Sequence, residues 1–262
     1  MPMPLESQTT AVAWRDVTKV FVDGHQALQG VDLDARRGEI LAILGTSGSG
    51  KTTLLKLVNR LIDPTSGAVV VNGRATIDWD PIELRLSMGY VIQEAGLMPH
   101  LSILANVGIV PRLKGVSRAE RDAAGRRCLE QVGLDPAEVE QRFPHQLSGG
   151  QRQRVGVARA LAAEPELILM DEPFGALDPI TRREIQDEFR SLQRRLKKTV
   201  ILVTHDLREA CRLADHLALV DQGRLIQYGE PSDFLERPAN DFVRSFFQDA
   251  AAVIPFDSGR EP

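Results

Sequence analysis

The chain has 262 residues, 43% of them apolar and 26% charged, with a formal net charge of −4, enough apolar material for a sizeable core in one large domain, with or without an inserted lobe. The acidic balance argues against a general nucleic-acid surface, because phosphate backbones are gripped by clustered Lys and Arg. No run reaches the ~18 apolar residues that span a bilayer, and the opening MPMPLESQTT lacks the charged-then-apolar profile of a signal peptide, so a soluble chain that stays in the cytoplasm is expected.

In chain order, Ala11 to Val22, Val31 to Leu33 and Ala68 to Val71 alternate or cluster apolar residues between Gly and Asp punctuation. They predict short strands of a small antiparallel sheet. Phe21 lies in this region; its π-face suits stacking on an adenine ring, although burial in the core is the commoner fate of a Phe. Five apolar runs, Glu39 to Leu44, Met88 to Ile92, Leu167 to Met170, Val200 to Val203 and Leu217 to Val220, predict fully buried parallel strands. Helices are expected over Thr52 to Leu61, Gln151 to Ala163, Pro179 to Lys197 and Asp206 to Ala214. Between Gln93 and Leu147 the pattern changes: Pro99, Pro111, Pro136 and Pro144 break it, and Arg118 to Val132 reads as an amphipathic helix. That stretch, about 95–150, is expected to be an inserted helical lobe. Cys128 and Cys211 have no metal-ligand spacing and read as reduced thiols.

Four of the parallel runs end in chemistry. The first feeds Gly45-Thr46-Ser47-Gly48-Ser49-Gly50-Lys51-Thr52, followed by Thr53 in the opening helix. Glycines let the backbone turn its N–H groups inward, the helix N-terminus adds positive potential, Lys51 reaches the β- and γ-phosphates, and Thr52 ligates Mg²⁺. A flexible Gly/Ser turn explains the glycines but not the Lys-Thr pair. The third run ends at Asp171, placed to hold Mg²⁺ directly or through water, and at Glu172, a candidate general base for the water that attacks the γ-phosphate. His205 follows the fourth run and is placed to touch that phosphate. Gln93 follows the second, where it can reach Mg²⁺ or the lytic water and report nucleotide state to the helical lobe. Ligands bind beyond the carboxyl ends of strands in open α/β sheets, so a common polarity gathers all four groups at one edge.

Leu147 to Gln151, LSGGQ, is a second glycine-bearing turn opening a helix. Ser148 and the N–H groups of Gly149 and Gly150 make a second anion nest. Two phosphate sites in one chain fit either two ligands or one nucleotide shared between two copies.

Taken together, GTSGSGKT, Gln93, LSGGQ, LILMDEP, Ala176-Leu177-Asp178 and His205 resemble the ATP-binding cassette ATPases, over about Trp14 to Phe247. The resemblance implies an α/β P-loop NTPase with a parallel-sheet, RecA-like core, an N-terminal antiparallel β subdomain and an inserted α-helical subdomain, the ATPase domain covering 11–247. It implies ATP and Mg²⁺, and a head-to-tail homodimer that sandwiches two ATP molecules. In it Ser148, Gly150 and the rest of the LSGGQ turn through Gln151 act on the nucleotide of the other subunit. Phe21 corresponds to the adenine-stacking aromatic, Asp178 to a loop along the dimer interface, and the lobe to the part that docks membrane permeases. The implied location is peripheral, on the cytoplasmic face of the cell membrane.

LVNRLIDPTSG, GYVIQEAGLMPH, IVPRLKGVSR and the ending RPANDFVRSFF look like the ATPases of osmoprotectant importers of the glycine betaine, choline and carnitine type, which implies an extracytoplasmic solute-binding protein as a further partner. Many such relatives continue into paired CBS domains. None is expected here, 248–262 reading as a loose tail. The alternatives are another cargo, by lipid trafficking or export, and a nucleic-acid-linked ATPase. The second is disfavoured by the acidic balance, by the lack of heptad coiled coils between the motifs, and by the single cassette.

Overall fold

The computed structural model describes residues 9–93 and 95–251. Strands β1 (Thr10–Val20), β2 (Gln26–Arg36), β4 (Ser66–Val71) and β5 (Arg74–Ala75) form an antiparallel sheet in the order β2-β1-β4-β5. Strands β3 (Ile40–Leu44), β6 (Met88–Val91), β7 (Leu167–Asp171), β8 (Thr199–Val203), β9 (His216–Asp221) and β10 (Arg224–Gly229) form a second, in the order β10-β9-β3-β8-β7-β6. The five expected runs do pair in parallel. β10 escaped the sequence reading; it returns antiparallel on β9 through Gln222 and Gly223, at φ 47° and 76°, the positive-φ pair that a tight hairpin requires.

Each parallel run reads as continuously apolar because it has a core on both faces. Ile40, Ala42 and Leu44 of β3 face one cluster, with Ile168, Met170, Val200 and Leu202. Leu41 and Ile43 face the other, with Leu169, Ile201 and Val203. Side chains alternate across a strand, so a sheet covered on both sides needs apolar residues at every position. The second cluster also takes in Trp14, whose indole N–H donates to the Leu54 carbonyl at 3.3 Å and ties the antiparallel sheet to the helix after the first parallel strand.

β2 is far longer than the expected Val31 to Leu33. The β1–β2 pairing slips register between Trp14 and Val17, where Asp16 sits at φ 47°, and again between Val17 and Lys19, across from Gly30 at φ 65°, and such bulges destroy the period of two that a strand is recognised by. β1 stops at Val20, leaving Phe21 and Val22 on the turn to β2.

The helices are α1 (Lys51–Val58), α2 (Pro81–Leu86), α3 (Ile103–Val107), α4 (Ile109–Leu113), α5 (Arg118–Gln131), α6 (Pro136–Val139), α7 (Gly149–Leu161), α8 (Pro179–Leu196), α9 (Leu207–Leu213), α10 (Pro231–Glu236) and α11 (Asp241–Ala251). α1 ends three residues before the expected Leu61. Two prolines expected to break the pattern instead belong to helices. Pro136 opens α6, capped by Asp135, and Pro111 lies in the first turn of α4, where an N–H would have no intrahelical partner in any case.

From Ile103 to Gln146 every described element is helical. α5 carries its buried residues Gly125, Cys128 and Leu129 on one face, and Gly125 admits Leu104, whose Cδ1 would lie 2.8 Å from an added Cβ. Asn106, fully buried, accepts from Met98 N–H at 2.7 Å and donates to the carbonyls of Met98, Leu101 and Ser102 at 3.1 Å each. One amide thus holds the loop that leads into this lobe. Both cysteines are free, and burial pushes the Cys128 thiol up to about 11 and Cys211 to about 12. Among the described residues no helix is long and apolar enough to cross a membrane. Of the expected tail, residues 252–262 lie outside the described residues.

Candidate functional site

The spatial order β3-β8-β7-β6 sets four loops side by side at one sheet edge: Gly45–Thr52, His205, Asp171 with Glu172, and Gln93. Parallel pairing points every carboxyl end the same way.

The Gly45–Thr52 loop rests on backbone. A Cβ on Gly45 would lie 2.0 Å from the Val220 carbonyl oxygen. One on Gly50, at φ 106°, would lie 2.6 Å from Ala27 O. Gly223 N–H donates to Ser49 O at 3.0 Å, and the Thr46 hydroxyl is 3.4 Å from Asp221. Gly50→Ala should therefore destabilise the fold by about 2–3 kcal/mol, combining a positive-φ penalty with a clash. Urea unfolding measures this, and a midpoint equal to wild type would mean that the loop yields freely.

Lys51 opens α1 and is only 6% exposed. Its Nζ donates to Gly45 O at 2.9 Å and Thr46 O at 2.7 Å, so the ammonium lies over the loop's own backbone with a third donor to spare. Burial lowers its pKa, while Glu172 and Asp171 pull the other way. Among the described residues the buried Ser49 hydroxyl has no hydrogen-bond partner.

Thr52 Oγ donates to Asp171 Oδ1 at 3.1 Å, joining the loop to the end of β7 across the intervening β8. Burial raises the Asp171 pKa, and the Thr52 bond, Lys56 and Lys51 oppose it. A hydroxyl and a carboxylate at this spacing are hard oxygen donors suited to Mg²⁺. The described residues hold no group of three or more His, Cys, Asp or Glu placed for a metal.

Glu172 sits at φ 47°, an unfavourable backbone for a non-glycine residue, its N–H held by Val203 O at 2.9 Å. That twist turns the side chain out of the strand, and Oε1 lies 3.1 Å from His205 Nδ1. A non-glycine residue in this region of backbone costs about 1–3 kcal/mol. A carboxylate oriented by an imidazole is the arrangement of a general base.

The remaining expected residues are less tightly gathered. Gln93 is exposed on the loop leaving β6. Phe21 is half-exposed and belongs to neither core cluster, contrary to the common fate of a Phe. Its ring stacks on His25 at 6.4 Å, with Lys19 Nζ 5.3 Å from the centroid. Thr53 is half-buried in the first turn of α1. Ser148 and Gln151 form a reciprocal capping box at the start of α7, Gln151 N–H to Ser148 Oγ at 3.2 Å and Ser148 N–H to Gln151 Oε1 at 3.0 Å. The Ser148 hydroxyl still has its own proton to donate. Gly149 is exposed, and Gly150 packs under Thr181, whose Cγ2 would lie 2.8 Å from an added Cβ. Asp178 caps α8, accepting from Ile180 and Thr181 N–H at 3.2 and 3.1 Å. Hydrogen bonds to Thr181 hold its carboxyl below the usual range. Among the described residues no hydrogen bond joins Ser148–Gln151 or Asp178 to Gly45–Thr52.

Several supporting residues had no signal in the sequence reading. The turn at Asp221–Gly223 backs the phosphate loop from the far end of the chain. Arg159 of α7 donates to Ala95 O at 2.6 Å and Gly96 O at 2.7 Å, clamping the turn that follows Gln93 to the helix that LSGGQ opens. Arg182 of α8 donates to Leu177 O at 2.9 Å and Gly175 O at 3.3 Å and lies 3.4 Å from Asp206. The capping box at Ser148 was legible as Ser followed three residues later by Gln.

A family model described as ABC transporter matches residues 28–175. The chain is 50% identical over 230 residues to the glycine betaine/carnitine/choline transport ATP-binding protein of Bacillus subtilis (strain 168), covering 88% of this chain and 60% of that protein. It is 48% identical over 236 residues to the glycine betaine uptake system ATP-binding protein of Escherichia coli (strain K12), covering 90% and 76%. The chain thus spans about 60% of the length of several curated relatives it matches. Among solved structures it resembles the ATP-binding cassette MJ0796 in a dimeric post-hydrolysis state bound to ADP and Pi, with TM-score 0.75 and 36% identity over 84% of this chain and 98% of that one. It also resembles cbiO1 from Clostridium perfringens, with TM-score 0.80 and 29% identity over 90% and 95%.

Proposed function

The chain belongs to the ABC transporter family, and on that premise we propose that it hydrolyses ATP to power an importer of quaternary-amine osmoprotectants such as glycine betaine. The observation that carries the chemistry is the row of strand ends in which Lys51, the Thr52–Asp171 pair and the Glu172–His205 pair stand side by side. The cargo rests on the relatives, two of which are named for glycine betaine transport.

In this reading residues 11–247 are the ATPase unit, with the helical insertion at about 95–150. Phe21 stacks on adenine. Gly45 to Thr53 cradle the phosphates, and Lys51 exchanges its own loop carbonyls for β- and γ-phosphate oxygens. Thr52, Asp171 and Gln93 would hold Mg²⁺, which would neutralise charge that develops on the phosphates. Glu172 takes the proton of the attacking water, and His205 keeps that carboxylate in place. Ser148, Gly149, Gly150 and Gln151 close on the nucleotide from a second copy of the chain, with Asp178 running along the seam. ATP favours the closed dimer and products the open one, and a permease held by the helical lobe follows the change on the cytoplasmic face of the membrane.

The test is co-expression with candidate permease and solute-binding subunits, followed by ATPase assay and solute uptake in a strain lacking its own betaine importers. ATP-dependent uptake of a quaternary amine supports the reading. Uptake of another solute class overturns the cargo, and copurification with DNA or ribosomes instead of membranes overturns the function.

A further inference from the structure

His205 stands between two residues that are tied to a third. The Thr204 hydroxyl, 1% exposed, donates to Glu209 Oε2 at 2.8 Å and accepts from Asp206 N–H at 3.0 Å. Asp206 Oδ1 in turn accepts from Arg208 and Glu209 N–H at 2.9 and 3.2 Å, capping α9. Thr204 N–H is held by Ile43 O of β3 at 3.2 Å. The Glu209 side chain, 4% exposed and on the next turn, thus reaches the turn around His205 through the Thr204 hydroxyl, which in turn holds the Asp206 N–H on the far side of His205.

We propose that Glu209 is a positioning residue for hydrolysis: through Thr204 its carboxyl holds the turn that presents His205 to Glu172. This rests on the ATPase reading above and adds to it a residue that touches neither nucleotide nor water. Truncating the side chain would leave the buried Thr204 hydroxyl without its acceptor, and the turn would be free to shift. His205 would then lose its 3.1 Å approach to Glu172 while the phosphate loop stayed intact.

The state of the carboxyl matters as well. Burial pushes Glu209 up to about 8. The Thr204 bond lowers it, Asp206 of its own turn raises it, Arg182 of α8 lowers it, and Glu172 at the end of β7 raises it. At neutral pH the group is mainly protonated. Ionising a carboxyl this deep is opposed by desolvation, so it proceeds with local opening of the start of α9, which releases the same turn. The folded pKa is raised above the unfolded value, so the folded state binds more protons, and stability falls as pH rises from about 4.5 to about 8.

The experiment compares wild type with Glu209→Gln, Glu209→Ala and Thr204→Val in the full chain, by steady-state ATP hydrolysis from pH 6 to 9.5, ATP binding and thermal melting. Glu209→Ala and Thr204→Val should lower kcat by about tenfold or more, with KM for ATP within about threefold of wild type. Glu209→Gln still accepts the Thr204 bond and cannot ionise. It should keep kcat within about threefold at pH 7 and carry activity past the alkaline limb at which wild type declines. The melting temperature of Glu209→Gln should gain on wild type as pH rises through the same window. A folded Glu209→Ala with wild-type kcat overturns the proposal. So does a Glu209→Gln that loses as much as Glu209→Ala, or an alkaline limb shared by wild type and Glu209→Gln. If Glu209→Ala does not fold, Thr204→Val and the Glu209→Gln profile decide. A wild-type control that binds or hydrolyses no ATP overturns the ATPase reading itself, a separate outcome.

Discussion

Glu172→Gln should cut ATP turnover by about 10²–10⁴-fold, the range of general-base catalysis, while leaving nucleotide binding in place. Gln has the shape of Glu and the same backbone demands, so the turn at φ 47° and its bond to Val203 persist. Only the proton acceptor is lost. Lys51 and its loop are untouched by the change, so ATP should still bind, and with hydrolysis blocked the ATP-loaded dimer should accumulate. Phosphate release measures the first effect, and light scattering after size exclusion in ATP and Mg²⁺ measures the second. A variant that turns over normally and stays monomeric in ATP would remove Glu172 from its role.

Lys51→Ala should weaken ATP binding by about 3 kcal/mol, roughly 10²-fold, the scale of one or two charge-assisted hydrogen bonds lost from a buried donor. Lys51 is placed for this by being 6% exposed with its ammonium above the loop. Lys51→Met, which keeps most of the volume, should lose as much as Lys51→Ala and thereby separate charge from packing. Calorimetric titration with a non-hydrolysable ATP analogue gives the constants. Affinity equal to wild type in either variant would mean that the ammonium does not meet the phosphates.

These two residues were readable from the chain because their context is local. A Gly-rich loop after one apolar run ends in Lys51, and Glu172 follows another run directly. Phe21 was harder: nothing nearby tells a buried ring from one left half-exposed on the turn beyond Val20. The prolines misled for a related reason. Proline interrupts a pattern but also fits a first helical turn, as Pro136 and Pro111 do, and only at Pro136 does a neighbouring cap, Asp135, mark the helix start. The hairpin strand β10 and the full length of β2 were hidden by a two-residue turn and by a bulge, both of which interrupt the alternation that marks a strand.

The list of reactive groups, and the strand or turn that each one ends, is legible in the chain alone. Those features depend on side chains within a few positions of each other: positive-φ glycines, apolar runs, caps. Only the tertiary structure decided the row β3-β8-β7-β6, which sets Lys51, His205, Glu172 and Gln93 side by side. It also decided the pairing of Glu172 with His205, the Asp221–Gly223 turn behind the Gly45–Thr52 loop, and the burial of Glu209 against Thr204. Strand order is a long-range choice of hydrogen-bonding neighbours, and a pKa depends on how much water the fold removes. Neither is a property of any short stretch of chain.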